Sequence, residues 1–196
     1  MKTYRYLAAR YLSNIFVPPS FTFLSFLFLA INFENILLMK VAGIFNGLLY
    51  GLLIPIVIFQ KLRKKGKVGD IDATVKEERF FPFIYGVVIC CAALIISGLI
   101  GSHEYILVLW LLYIINTLGL ILITKFWKIS AHAIGISIPI GVFFYIYGTV
   151  SLYMLPLLLL ICWSRLELKV HTPLQLLMGS IYGFGSTYLV FSVLLG

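Results

Sequence analysis

Residues 131–163 read AHAIGISIPIGVFFYIYGTVSLYMLPLLLLICW, a run of 33 residues without one Asp, Glu, Lys or Arg. A single helix of that length would extend about 50 Å, against a hydrocarbon core of about 30 Å. The run is therefore predicted to form two helices joined by a turn at Gly148 and Thr149. Pro156 then lies in the returning helix as a kink position, tolerable where neighbouring helices satisfy the freed backbone group.

Comparable apolar runs fill most of the chain, at 15–31, 36–59, 83–100, 105–123, 132–147, 150–163 and 173–195. With 62% hydrophobic and 11% charged residues, an ordinary soluble domain is excluded. The expected fold is all-α, a polytopic transmembrane helical bundle with six to seven membrane helices in one domain. Within it, 1–60 carry two N-terminal spans, 61–82 form a basic cytoplasmic loop, and 83–196 form the core. Residues 1–10 carry Lys2, Arg5 and Arg10 among aromatics; this stretch is expected to be retained, not cleaved as a leader, and to lie at the membrane surface. Cys90, Cys91 and Cys162 lie in apolar segments without metal-ligand spacing and read as buried thiols.

Basic residues set the expected topology. In a seven-span arrangement the N-terminus, 60–82, 124–131 and 164–172 share one side. Of the fifteen Lys and Arg residues, only Lys40 falls on the other. Loops rich in Lys and Arg stay in the cytoplasm, so the first side is expected to be cytoplasmic. The run KLRKKGK (61–67) reads as a topology signal in contact with anionic headgroups; no nucleic-acid partner is needed to explain it.

Three polar stretches return to that side, besides the N-terminus: DIDATVKEERFFP (70–82), KFWKISAH (125–132) and SRLELKVHTPLQ (164–175). Arg79, Lys128 and Arg165, with Lys76 as a fourth candidate, supply positive charge of the kind that holds a phosphate, and Arg can do so through two parallel hydrogen bonds. Ser130 and Thr172 stand just before apolar helices, where free amides and the helix dipole favour an anion. His132 and His171 then offer one nucleophile and one general acid beside an anion site.

These residues resemble the type 2 phosphatidic acid phosphatase superfamily. SRLELKVH resembles its Ser-Arg-x5-His signature, ISAH (129–132) its Pro-Ser-Gly-His motif, and KEERFFP (76–82) a degenerate form of its Lys-x6-Arg-Pro motif. The resemblance implies an integral-membrane helical bundle and a lipid phosphatase that needs no metal or other cofactor. It implies that His171 attacks phosphorus and His132 protonates the leaving alcohol. Arg165, Arg79 and Ser130 would hold the phosphoryl oxygens, as would Lys76 if it replaces the family's lysine; Lys128 is placed to reach the phosphate by its position, not by the resemblance. The implied partners are a lipid phosphate substrate, phosphatidate-like or prenyl phosphate, and the surrounding membrane lipids.

Three departures from the pattern are visible. Asp72 stands where the first motif has Lys, and Asp72, Lys76 and Arg79 would share one face if this stretch were helical. Ile129 and Ala131 replace Pro and Gly in the second motif. Gln175 replaces the Asp that orients the nucleophilic His in the family; its amide can accept a hydrogen bond but carries no charge. TPLQ (172–175) also reads as a helix start, with Thr172 as N-cap, Pro173 in the first turn and Gln175 completing a capping box.

Two rival functions stay open. One is a non-catalytic lipid-phosphate binder or transporter on the same scaffold; the other is a magnesium-dependent prenyl transferase using Asp70 and Asp72. The remaining pattern reads as packing. Gly43, Gly47 and Gly51 form one small-residue ridge and Gly179 with Gly183 another, Asn46 and Asn116 are expected between helices, and His103 is expected to be structural.

Overall fold

In hydrocarbon no water can satisfy the backbone, so an apolar chain must close its hydrogen bonds within helices or a closed barrel. The computed structural model describes residues 4–196, and among these it is all-helical; Lys2 lies outside the described residues. The helices are α1 (Tyr4–Ile15), α2 (Pro18–Phe33), α3 (Leu37–Asn46), α4 (Ile54–Lys64), α5 (Phe80–Ile100), α6 (Glu104–Phe126), α7 (Ala131–Tyr147), α8 (Leu155–Glu167) and α9 (Pro173–Leu195). A π-helical segment, Gly47–Leu53, joins α3 to α4, and 3-10 segments lie at Glu77–Arg79 and Gly148–Met154.

Among the described residues, five helical stretches are long and apolar enough to cross a membrane: Leu37–Lys64, Glu77–Ile100, Glu104–Phe126, Ala131–Glu167 and Pro173–Leu195. A sixth is α1 and α2 taken as one span, bent by 49°. The run expected at 15–31 is thus broken between Ile15, the end of α1, and Pro18, the start of α2. Pro18 and Pro19 cannot continue α1 but fit the first turn of a new helix, which is where the chain bends.

The 131–163 run does not form one straight rod. Gly148 takes φ 62 and ψ −137, outside helical space, and ends α7. Ile161 of α8 then packs with Ile136 and Ile140 of α7, which only a reversal of the chain allows. Pro156 falls in the first turn of α8, where its missing N–H costs nothing. It starts the returning helix and does not kink it.

The residues divide into two units, one built from those up to Phe21 together with Ile129–Leu194, the other from Thr22–Lys128. In the first unit α7 and α9 run parallel along a small-residue seam. A Cβ at Gly179 would come within 2.9 Å of the Ser130 carbonyl oxygen, and one at Gly183 within 2.8 Å of that of Ile134. One at Gly141 would meet Thr187 at 2.8 Å. Partner numbers rise together, as parallel helices require.

The second unit uses the same device in antiparallel form. Hypothetical Cβ atoms on Gly43, Gly47 and Gly51 would meet Ala30 at 3.2 Å, Phe26 at 2.5 Å and Thr22 at 3.0 Å. One series rises by four while the other falls by four, so α2 lies against the α3–π ridge as an antiparallel neighbour. Phe26 also stacks on Trp110 of α6, with ring centroids 3.8 Å apart. Asn46 does bond between helices, donating to the Ser97 hydroxyl at 2.7 Å and the Ala93 carbonyl at 3.1 Å of α5. His103 caps α6 by accepting from the Tyr105 amide, and its own amide donates to buried Glu34 at 2.8 Å.

The basic loop after α4 is anchored. Val68 and Ala73 bury against Leu62, and the Lys67 ammonium sits 4.1 Å from the Phe81 ring centroid. All three cysteines are free thiols and half-buried, less enclosed than the sequence suggests.

Glycine substitutions separate seam from surface. Gly183→Ala is expected to destabilise by about 1–3 kcal/mol, because the two nearest atoms its Cβ would meet belong to the Ile134 backbone and cannot rotate away. Gly98→Ala has open space around the new Cβ and is expected to be neutral or stabilising by helix propensity. Thermal unfolding in detergent, followed by circular dichroism, checks both.

Candidate functional site

Arg165 lies in the last turn of α8 and His171 just beyond it. What joins them is a tight helix end. Leu168 N–H bonds to the Ser164 carbonyl at 3.1 Å, Lys169 N–H to Leu166 at 2.9 Å and Val170 N–H to Arg165 at 3.2 Å. Lys169 adopts φ 56, the left-handed conformation that commonly closes a helix. The reversal carries His171 back over α8, so the Arg165 Nε–H donates to His171 Nδ1 at 3.4 Å. Arg165 is 0% exposed and His171 8%.

Thr172 then starts α9. Its hydroxyl accepts from the Gln175 amide at 3.3 Å while Gln175 Oε1 accepts from the Thr172 amide at 3.1 Å, the reciprocal pair expected of a capping box. The side-chain oxygen of Gln175 thus serves the helix start.

Ser130 is the N-cap of α7, buried, with its hydroxyl accepting from Ala133 N–H at 3.3 Å. Its own amide donates to the Gln175 carbonyl at 3.3 Å. Two helix starts are therefore stitched together, and their dipoles place partial positive charge in one region. His132 is half-buried in the first turn of α7.

Ser13, on the buried face of α1, links the cluster. Its hydroxyl accepts from Arg165 Nη1, and its carbonyl lies 3.4 Å from His132 Nε2. Arg5 of α1 pairs with Glu167 of α8 at 3.4 Å. The sequence motifs did not point to Ser13. The available signal was the spacing of small residues Ala9 and Ser13, four apart, in an otherwise bulky stretch; both are buried.

Ser130, His132, Arg165, His171 and Gln175 thus gather in the first unit. Arg79, Lys76 and Lys128 belong to the second. Arg79 is 5% exposed, and its Nε donates to the Ala73 carbonyl at 2.8 Å. The Lys76 ammonium donates to the Lys125 carbonyl at 2.9 Å, in the last turn of α6, where a cation suits the dipole.

Asp72, Lys76 and Arg79 do not share a helix face, because only Glu77–Arg79 is helical there. The physical cause is Asp70. Its carboxylate accepts from the amides of Asp72 and Thr74 and from the Thr74 hydroxyl, closing a turn in which Ala73 takes φ 45. Partial burial raises the Asp70 pKa, but the hydrogen bonds from Thr74 and Asp72 outweigh it and hold the carboxyl below its ordinary value.

The chain matches no known protein-family model, no curated protein and no solved structure at a significant level.

Two outcomes follow from this geometry. Thr172→Ala removes one half of the capping box and is expected to cost about 1 kcal/mol, whereas Gln175→Glu preserves the box and is expected to leave thermal stability unchanged. For Asp70, a folded-state pKa below the unfolded value makes its contribution present at neutral pH and lost as pH falls through the folded pKa. The difference in melting temperature between wild type and Asp70→Ala is expected to be present at pH 7 and to vanish at acidic pH.

Proposed function

We propose that this chain is a multi-pass membrane lipid phosphatase, hydrolysing a phosphomonoester or diphosphate of a lipid, with its site at the cytoplasmic face. In this arrangement α7 and α8 are two short crossings, giving seven in all, and the basic loops share the cytoplasmic side. The observation that carries the proposal is the convergence of Arg165 and His171 with Ser130 and His132, from two separate motifs, at the joined starts of α7 and α9. A guanidinium and two helix N-termini are the chemistry that holds a phosphate.

The steps are as follows. His171 Nε2 attacks phosphorus, the bond from phosphorus to the lipid oxygen breaks, and the leaving oxygen takes a proton from the His132 imidazolium. Water, deprotonated by His132, then attacks the phosphohistidine and releases inorganic phosphate. Arg165 and Ser130 hold the phosphoryl oxygens. Arg79, Lys76 and Lys128 are assigned to the phosphate by motif order alone, and the lysine that bonds a carbonyl, Lys76, has a structural task already. An Nε–H can only donate, so the contact from Arg165 leaves the proton of a neutral His171 on Nε2. Attack by Nε2 therefore requires Arg165 to turn to the arriving phosphate and the ring to change tautomer. The 3.4 Å contact is long enough to be exchanged, as in many ligand-free sites.

A second reading, a lipid-phosphate binder or transporter without turnover, is favoured by one observation: Gln175 Oε1 is engaged with Thr172 N–H. Phosphate release by purified protein from phosphatidate, lysophosphatidate and prenyl mono- and diphosphates, with EDTA present, separates the two. The hydrolase is expected to turn over in EDTA and to lose activity in His171→Ala. Equal background from both proteins would remove the hydrolase reading.

A further inference from the structure

We infer that Ser13 of α1 is a positioning residue of the phosphate site, fixing the guanidinium plane of Arg165 through its hydroxyl and the His132 ring through its carbonyl. The inference rests on the phosphate-site reading above and adds to it an element that no motif includes. Ser13 is 2% exposed and Arg165 0%, so their hydrogen bond is shielded from water, where a bond to a charged donor counts most. A guanidinium binds phosphate well only when its plane is held. Among its contacts are Nε against His171 and Nη1 against Ser13, and the second stays in place when the first is exchanged for phosphate.

The helix that carries Ser13 is built to present it. Ala9 and Ser13 form the buried face of α1, while Tyr4, Leu7, Tyr11 and Ile15 are exposed on the remainder. Ala9 is 0% exposed, which lets α1 come close to its neighbours, and Arg5 with Glu167 ties its first turn to the end of α8. The Ser13 hydroxyl accepts from Arg165, so its own hydrogen is directed elsewhere and can donate to a phosphoryl oxygen. The Ser13 carbonyl accepts from Nε2 of His132, which orients the ring.

Three variants test this, with binding of dihexanoyl phosphatidate and of inorganic phosphate measured by calorimetry on the full chain in detergent, beside thermal unfolding. Ser13→Ala is expected to weaken phosphatidate binding about 10- to 100-fold. Ser13→Thr keeps the hydroxyl and is expected to restore binding to within about threefold. Ser13→Asp places a carboxylate against Arg165 as a built-in anion. It is expected to keep or raise the melting temperature while abolishing phosphatidate binding, a combination that a merely structural role would not produce.

Weakening of both ligands alike would identify the phosphate group as what the site reads; weakening of phosphatidate alone would identify the lipid headgroup, and either supports the role of Ser13. Wild-type affinity in Ser13→Ala or Ser13→Asp would overturn that role and leave the proposed function standing. Failure of the wild type to bind either ligand would overturn the phosphate site itself, and this inference with it.

Discussion

The approach of α7 to α9 is the constraint on which the first unit depends. Lipid tails are as apolar as leucine, so helices in a membrane gain little by burying apolar side chains and associate instead through close packing. Gly179 and Gly183 permit that closeness, since a Cβ at either would meet backbone atoms of the 130–134 turn at under 3 Å. A parallel pair in contact along its first turns must have its N-termini side by side. The seam therefore does more than hold two helices: it sets the positive dipole ends of two helices in one place. The bond from Ser130 N–H to the Gln175 carbonyl joins those starts directly.

Arg165 adds fixed charge to that region, and the fold meets its cost locally. A buried guanidinium loses its hydration and needs acceptors in return. It stands in the last turn of α8, where the carbonyl end of the helix favours a cation. Ser13 and His171 supply neutral acceptors from two further segments. Neither cancels the charge. These contacts place the guanidinium beside two positive helix ends, the arrangement on which the proposed phosphate site rests.

Much of this was legible in the sequence because it depends on local pattern. The capping box at Thr172 and Gln175, the turn at Gly148 and both glycine ridges follow from residue type and spacing, and the structure has each of them. The gathering of 130–132 with 165–171 was legible as motif order. Three features were not. The break before Pro18 lay inside an apolar run, where hydropathy does not register a bend. The face expected for Asp72, Lys76 and Arg79 failed because the Asp70 carboxylate captures the amides that a helix would use. The contact of Ser13 with Arg165 was not legible, because it spans 152 positions; the local spacing of Ala9 and Ser13 marks only a buried helix face.

Position 175 bears on the proposed phosphate site through its charge. It lies in the first turn of α9, and the family that the motifs resemble has a carboxylate there. A carboxylate would offset part of the positive potential and hold the imidazole of His171 ready to become cationic as it attacks. The Gln175 amide does neither, because it is neutral and its oxygen is engaged with Thr172 N–H. Binding that is equal in ground state and transition state tightens a complex without speeding the chemistry, so the charge at position 175 is where the two proposed readings of the site part. A Gln there leaves the proposed phosphate site without a carboxylate that would favour the transition state over the ground state, which is why phosphate release, and not binding alone, separates the hydrolase from the binder.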